Sequence, residues 1–340
     1  MPAHTHTYGP TPDATADVFI RGNYTSDSNA MMSGFLNEFA DAEDAVGSAA
    51  TAQVLRGEAR AMKAAMNALL WDGSDHFVTQ VNPDDLACAA KGTCRDYVDY
   101  DSNLIAVAHG VPNTTQRATA VLDRVDKGRC SAAQGSGPQF VSEIYYGKDA
   151  TTGGNTGDSW CSMGRIAWFD AHARKLVGRP SDIAAFDADL KLLQDDLIKN
   201  TWLNERYGCD GKQQPNRTTN YFEYPSTVAM LLREVRYGIR LGWNNVVVDP
   251  MGPSSFNYHV GNVNVDYAPI SLAFDVPGAA GATKYEVHGV RPSTMFTVVL
   301  GAGCAASGAA SSVASDATGL LTFIAPAAVG CRVTATGASS

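Results

Sequence analysis

The stretch DYDSNLIAVAHGVPNTTQRATAVLDRV, residues 99–125, decides how this chain is read. It opens on a polar cluster, Asp99-Tyr100-Asp101-Ser102-Asn103, and runs at once into the apolar segment Leu104–Ala108. Gly110–Pro112 then breaks the chain, and a second amphipathic segment follows with Ala118, Val121, Leu122 and Val125 at helical spacing. That is a helical hairpin with a tight turn at one end and a carboxylate-rich, aromatic-flanked start at the other.

Outward from this stretch the same unit recurs. Helical periodicity marks segments near 28–46, 51–70, 101–110, 113–126, 159–178, 183–199 and 224–240. Gly47-Ser48, Gly110–Pro112 and Gly178–Pro180 make short connections, while the intervening ones are long and rich in Asp, Asn, Tyr, Trp and Gly. Short and long loops alternate, so the long ones gather at one end of the hairpins, where a rigid scaffold holds functional side chains. After Gly242 the texture changes. Val246–Val248, Tyr258–Val265, Ser271–Val276, Thr283–Val287, Phe296–Leu300 and Leu321–Ile324 read as strands. A Gly/Ala/Ser-rich stretch over 301–318 completes a small antiparallel β domain. Two domains are expected, a helical one over 1–243 and a β-sandwich over 244–340.

Each helix that follows a long loop starts on a polar signature. These are Tyr24-Thr25-Ser26-Asp27-Ser28-Asn29, the Asp99–Asn103 cluster, Asn155-Thr156-Gly157-Asp158-Ser159-Trp160, and Asn220-Tyr221-Phe222-Glu223-Tyr224-Pro225. Helix capping explains an Asp or Ser at each place. It does not call for the neighbouring aromatics, whereas a carbohydrate site does: rings stack on sugar C–H faces, and carboxylates and amides bind hydroxyls. Tyr100, Asn103, Trp160, Tyr221, Tyr224 and Glu143 are the candidate substrate contacts, and Asp27, Asp101, Asp158 and Glu223 the candidate catalytic carboxylates.

Composition agrees with an uncharged partner. A net charge of −9 argues against nucleic acid and against an anionic membrane surface. No apolar run approaches a membrane span. Of the seven cysteines, Cys88 and Cys94 could close a short loop, Cys304 and Cys331 flank apparent strands, Cys130 and Cys161 lie beside the candidate site, and Cys209 is left over. With sequons at Asn23, Asn113 and Asn216, this points to a secreted glycoprotein. Met1–Pro10 lacks the basic and apolar regions of a signal peptide. No metal or cofactor is implied, and a monomer is expected.

Four segments carry a resemblance to the six-hairpin (α/α)6 glycosidases, the group of glucoamylases, trehalases and alpha-L-rhamnosidases. DYDSNLIAVAHG, GDSWCSMGRIAWFDAHARKLVG and NYFEYPSTVAMLLREVRYG resemble successive inner helices of such a barrel, and ALLWDGSDHFV is similar to its helix, Trp-Asp and short-strand element. The resemblance implies a partial (α/α)6 toroid of about seven helices whose N-terminal part, roughly two and a half hairpins, is absent. It also implies an inverting glycosidase acting on terminal sugars, with Asp27 as general acid and Glu223 as general base, and Asp101 and Asp158 as alternative acids. The rival readings are an α/α-toroid polysaccharide lyase and an inactive carbohydrate-binding fragment. The Asp-rich, His-free motifs favour hydrolysis over the proton abstraction of a lyase.

Overall fold

The computed structural model describes residues 24–81, 83–92, 97–127, 129, 144–146, 160–204, 206–208, 210–213, 221, 223–236, 238–241, 245–248, 251, 271–276, 281–287, 292–301, 308–327 and 331–337. The expected strand Tyr258–Val265, with Glu143, Asp158, Asn23 and Asn216, lies outside them. The chain divides into two compact units, 1–228 and 229–340.

The first unit is built from three helical hairpins. α1 (Ser26–Ala45) and α2 (Ala49–Leu69) form the first. A short helix α3 (Cys88–Lys91) follows, and Cys88 is disulfide-bonded. α4 (Tyr100–Ala108) and α5 (Thr115–Asp126) form the second hairpin, α6 (Gly164–Val177) and α7 (Pro180–Asn200) the third, and α8 (Glu223–Met230) runs across the boundary at 228. Each hairpin turns at a glycine in the left-handed region, Gly47 (φ 86°), Gly110 (φ 63°) and Gly178 (φ 73°). Its N–H caps the preceding helix, as from Gly110 to the Val107 carbonyl at 2.9 Å. Pro180 pre-sets the first turn of α7.

At the opposite end each hairpin is closed by a two-stranded antiparallel ribbon. β1 (Tyr24–Thr25), just before α1, pairs with β2 (Gln80–Val81), which follows α2. β3 (Tyr97–Asp99) before α4 pairs with β4 (Ile144–Tyr146) after α5. β5 (Trp160–Met163) before α6 pairs with β6 (Arg206–Gly208) after α7. The chain leaving each second helix thus returns to the start of its own first helix.

The first helices pack side by side: α4 lies against both α1 and α6, and it also touches α5. α4 is apolar all round, with Leu104, Ala106 and Val107 at 0% exposure, as befits a helix covered on every side. His109, at its C-terminal cap, meets Gly34 of α1 on one side and the Phe169 ring of α6 at 5.9 Å on the other. Burial, and then the charge of Lys63, hold the His109 imidazole below its usual pKa, so it packs as a neutral ring.

A buried ionic cluster binds the second hairpin to the third. Arg174, 2% exposed, donates to Asp170 (2.7 Å) and Asp182 (3.1 Å) and pairs with Asp126 (2.9 Å). Arg179 reaches Asp123, Asp126 and Asp182. Burial alone would raise the Asp126 carboxyl, but Arg174 and Arg129 outweigh it and hold the group below the usual carboxylate range.

Two helix boundaries differ from those expected. Residues 160–163 belong to β5, and α6 begins only at Gly164, where a Cβ would press on the backbone and ring of Tyr224. The last helix gives way to a π-helical stretch, Leu231–Arg236, and ends before Gly238 at φ 67°.

The second unit is a six-stranded sheet in the order β12-β11-β14-β9-β8-β7 with a separate pair β10-β13. The strands are β7 (Ile239–Leu241), β8 (Asn245–Val248), β9 (Ser271–Val276), β10 (Gly281–Val287), β11 (Met295–Leu300), β12 (Ala310–Ala314), β13 (Leu321–Ala327) and β14 (Cys331–Gly337). The expectation of a purely antiparallel domain is corrected by β8 and β9, which run parallel. The Gly/Ala/Ser-rich stretch contains β12, paired on β11 from Met295 opposite Ala314 to Val299 opposite Ala310. Phe296 and Val298 alternate inward on β11, and Leu321 and Phe323 do so on β13.

Two stability measurements check this packing. Gly34→Ala places a methyl group in the His109 ring, so urea unfolding should show a net loss of about 1–2 kcal/mol despite the better helix propensity of alanine. Asp126 contributes stability that is present above its unfolded pKa of about 3.9 and is lost as pH falls through its lowered folded value. The acid-induced drop in the urea midpoint should therefore be smaller in Asp126→Asn, which starts less stable at neutral pH.

Candidate functional site

The starts of α1 and α4 are drawn together by the loop that follows α2. After α2, Trp71 bridges back to Phe77 around the turn Asp72–His76. The Asp72 carboxylate holds that turn by accepting from the N–H groups of Ser74 (2.9 Å), Asp75 (3.0 Å) and His76 (3.0 Å), and from the Ser74 hydroxyl. Burial works to raise its pKa, but these hydrogen bonds keep it below the usual range.

Residues 77–81 then serve two helices at once. The Thr79 carbonyl accepts from the Ser26 N–H at 2.9 Å, and β2 pairs with β1, which fixes the start of α1. Phe77 is held by Asn103 of α4. Its N–H donates to Asn103 Oδ1 at 2.8 Å, and its carbonyl accepts from Asn103 Nδ2 at 3.0 Å. Asn103 Nδ2 also donates to the Asp99 carbonyl at 2.8 Å, and Asn29 Nδ2 makes the same backward bond to Thr25 at 2.7 Å. The shared Asp-Ser-Asn of α1 and α4 is thus a structural repeat. Asp99 caps α4, accepting from the Ser102 N–H (3.1 Å) and hydroxyl (2.6 Å).

A comparable arrangement fixes α8. Tyr221 N–H donates to the Leu203 carbonyl at 2.8 Å, and the Tyr224 ring stands edge-on to Tyr207 at 5.6 Å. The Tyr207 hydroxyl donates to Asp196 Oδ2 at 2.7 Å, which also accepts from Gln213 Nε2 at 2.8 Å. Burial, reinforced by Asp196, pushes the Tyr207 phenol well above its ordinary pKa and keeps it a donor. The Gly164–Tyr224 contact brings the starts of α6 and α8 together.

The candidate residues separate on this framework. Asp27 and Asp101 stand in the first turns of α1 and α4, both half-buried, and Asp27 Oδ1 accepts from the Ser28 N–H at 2.7 Å. Glu223 is the first residue of α8, Trp160 the first of β5, and Tyr221 is half-buried beside Leu203. Three expected substrate contacts are corrected. Asn103, at 0% exposure, has both amide hydrogens and its oxygen engaged by the backbone. Tyr100 belongs to the apolar core, and Tyr224 is fully buried against Tyr207. None of the three offers a face or a free polar group to a sugar. Asp196, Tyr207 and Gln213 escaped the sequence reading, because a Tyr-Gly strand and a Gln in a polar loop carry no periodic or motif signal.

Asp72, Asp75 and His76 bring ligand-type atoms within 4.8 Å of one another. Asp72 is occupied in holding the turn, and Arg124 (4.0 Å) and Lys127 (3.7 Å) face Asp75, which opposes a divalent cation. Among the described residues no helix is long and apolar enough to cross a membrane.

No protein-family model and no curated protein sequence matches this chain. Among solved structures it is similar to an alpha-L-rhamnosidase from Dictyoglumus thermophilum, with a TM-score of 0.36 and 13% identity. The match covers 91% of this chain and 31% of that one, so the chain spans under a third of that structure's length.

The Asn103 lock has a measurable consequence. Asn103→Leu leaves two carbonyls and one N–H without partners in the core, and chemical denaturation should show a loss of about 2–5 kcal/mol. An exposed amide with no structural task would lose less than about 0.5 kcal/mol.

Proposed function

We propose that this chain is part of a glycoside hydrolase that removes terminal sugars by an inverting two-carboxylate mechanism. The observation that carries the reading is the loop 77–81, which sets two carboxylate-bearing helix starts side by side. Asp27 and Asp101 stand on α1 and α4, which share the loop 77–81, and Glu223 opens α8. On this reading the row of hairpins is an arc of a six-hairpin ring, and its first-helix starts face the sugar.

Glu223 is the base: it takes a proton from a water that attacks the anomeric carbon. Asp27 is the acid: protonated, it delivers its proton to the leaving glycosidic oxygen. Asp101 or Asp158 takes that part if Asp27 does not. Inversion requires room for the water, and so a carboxyl separation of roughly 6.5–9.5 Å. Tyr221, Trp160 and Glu143 are the remaining candidates for positioning the sugar. The same reading places the protein outside the cell as a monomeric glycoprotein. The disulfide at Cys88 and the exposed sequon residue Asn113 support that setting.

The test is hydrolysis of a panel of aryl glycosides, with the anomer released followed by proton NMR. The expected result is a product of inverted configuration. Glu223→Gln should lower kcat by about 10²–10⁴-fold with KM nearly unchanged. An unsaturated product absorbing in the ultraviolet would instead identify a lyase. Sugar binding without turnover, unaffected by Glu223→Gln, would identify a non-catalytic binding module.

A further inference from the structure

α1 is amphipathic in the wrong sense. Its buried positions are Ser26, Ala30, Ser33, Gly34 and Ala40, small residues that let it close on its neighbours, as Gly34 does on His109. At about 100° per residue the opposite arc holds Met31, Phe35 and Phe39, with Met32 beside them. These are 49%, 57%, 44% and 40% exposed. The Phe35 and Phe39 rings stack on each other at 5.9 Å and 12°, forming one continuous apolar strip. Single exposed apolar residues are ordinary, but a contiguous strip with two aromatic rings marks an interface.

Two observations say what covers it. The first is continuity: α1 packs on α4 as α4 packs on α6, so among the described residues α1 stands at one end of a row of helical hairpins. The second is charge. α1 carries Asp27, Glu38, Asp41, Glu43 and Asp44 and no Lys or Arg. Arg56 of α2 pairs with Asp41 (2.6 Å) and Asp44 (2.5 Å), on the side away from the strip. By helical position Glu38 borders one edge of the strip and Glu43 the other. A second copy of this chain would set acidic edge against acidic edge, which disfavours it.

We propose that the Met31–Phe35–Phe39 face of α1 is a docking surface for a partner helical hairpin whose first helix is apolar with a Lys/Arg border. The apolar strip supplies the contact, and the acidic edges select the sign and the register of the partner. This proposal does not depend on the glycosidase reading, since it concerns the flank of α1 and not the helix starts.

The experiment uses the full chain with a synthetic peptide of Leu and Lys arranged as an amphipathic helix. The controls are the same residues in shuffled order and a Leu/Glu helix. Calorimetric titration should show saturable one-to-one binding of the Leu/Lys helix. Binding should weaken at least about tenfold for the Leu/Glu helix, for the shuffled peptide, and for a Phe35→Asp, Phe39→Asp double variant. The circular dichroism of that variant should match the parent, because both side chains lie on the surface. Equal binding of the shuffled peptide or by the double variant overturns the proposal. So does a chain that sediments as a dimer through this face, with the double variant monomeric.

Discussion

The first unit depends on one constraint: the chain that leaves each second helix must return and bond to the start of its own first helix. Ser26 meets it in the first hairpin by donating to the Thr79 carbonyl, and Asn103 ties the same loop to the next hairpin. Asn103 lies in the first turn of an apolar helix, where an amide has no solvent to turn to, and it uses both donors and its acceptor on Phe77 and Asp99. Because residues 77–81 also hold Ser26, one short segment sets the starts of α1 and α4 together. The ribbons β3/β4 and β5/β6 repeat the closure in the next two hairpins. Helix packing decides that the hairpins stand side by side. The ribbons decide which end carries the carboxylates.

Two kinds of contact stabilise the hairpins. Charge is spent within the fold where the C-terminal end of α5 meets α6 and the turn into α7: Arg174 and Arg179 gather Asp123, Asp126, Asp170 and Asp182 into a largely buried cluster linking the three helices. At the ribbon end the backbone is satisfied mainly by amides, hydroxyls and paired strands. Asp27 and Asp101 stay only half-buried there.

The hairpins were legible in the sequence because their signals are local. Helical periodicity, three glycine turns and polar helix starts all act within a few residues, and the helices fall close to where these signals put them. The ribbons were not legible. Two- to four-residue strands such as Tyr24–Thr25 have no period to detect, and their partners lie far along the chain. Asn103, Tyr100 and Tyr224 read as sugar contacts because an amide or a phenol beside Asp looks the same whether it faces solvent or core. Their burial is set by Phe77, Tyr207 and Gly164, residues distant in sequence. In the second unit, β12 escaped because Ala-Ser-Ser-Val-Ala is small and mostly exposed, with no buried face to write an alternation.

Amide hydrogen exchange tests the closure most directly. The amides of Ser26, Phe77, Val78 and Tyr221 lie outside or at the very edge of regular helices, and each donates within the fold: to Thr79, Asn103, Leu70 and Leu203 respectively. If the returning loops hold the helix starts, these four exchange as slowly as the core amides of α4 and lose protection together with them as denaturant is added. Exchange at the rate of open loops, while α4 stays protected, would contradict the account.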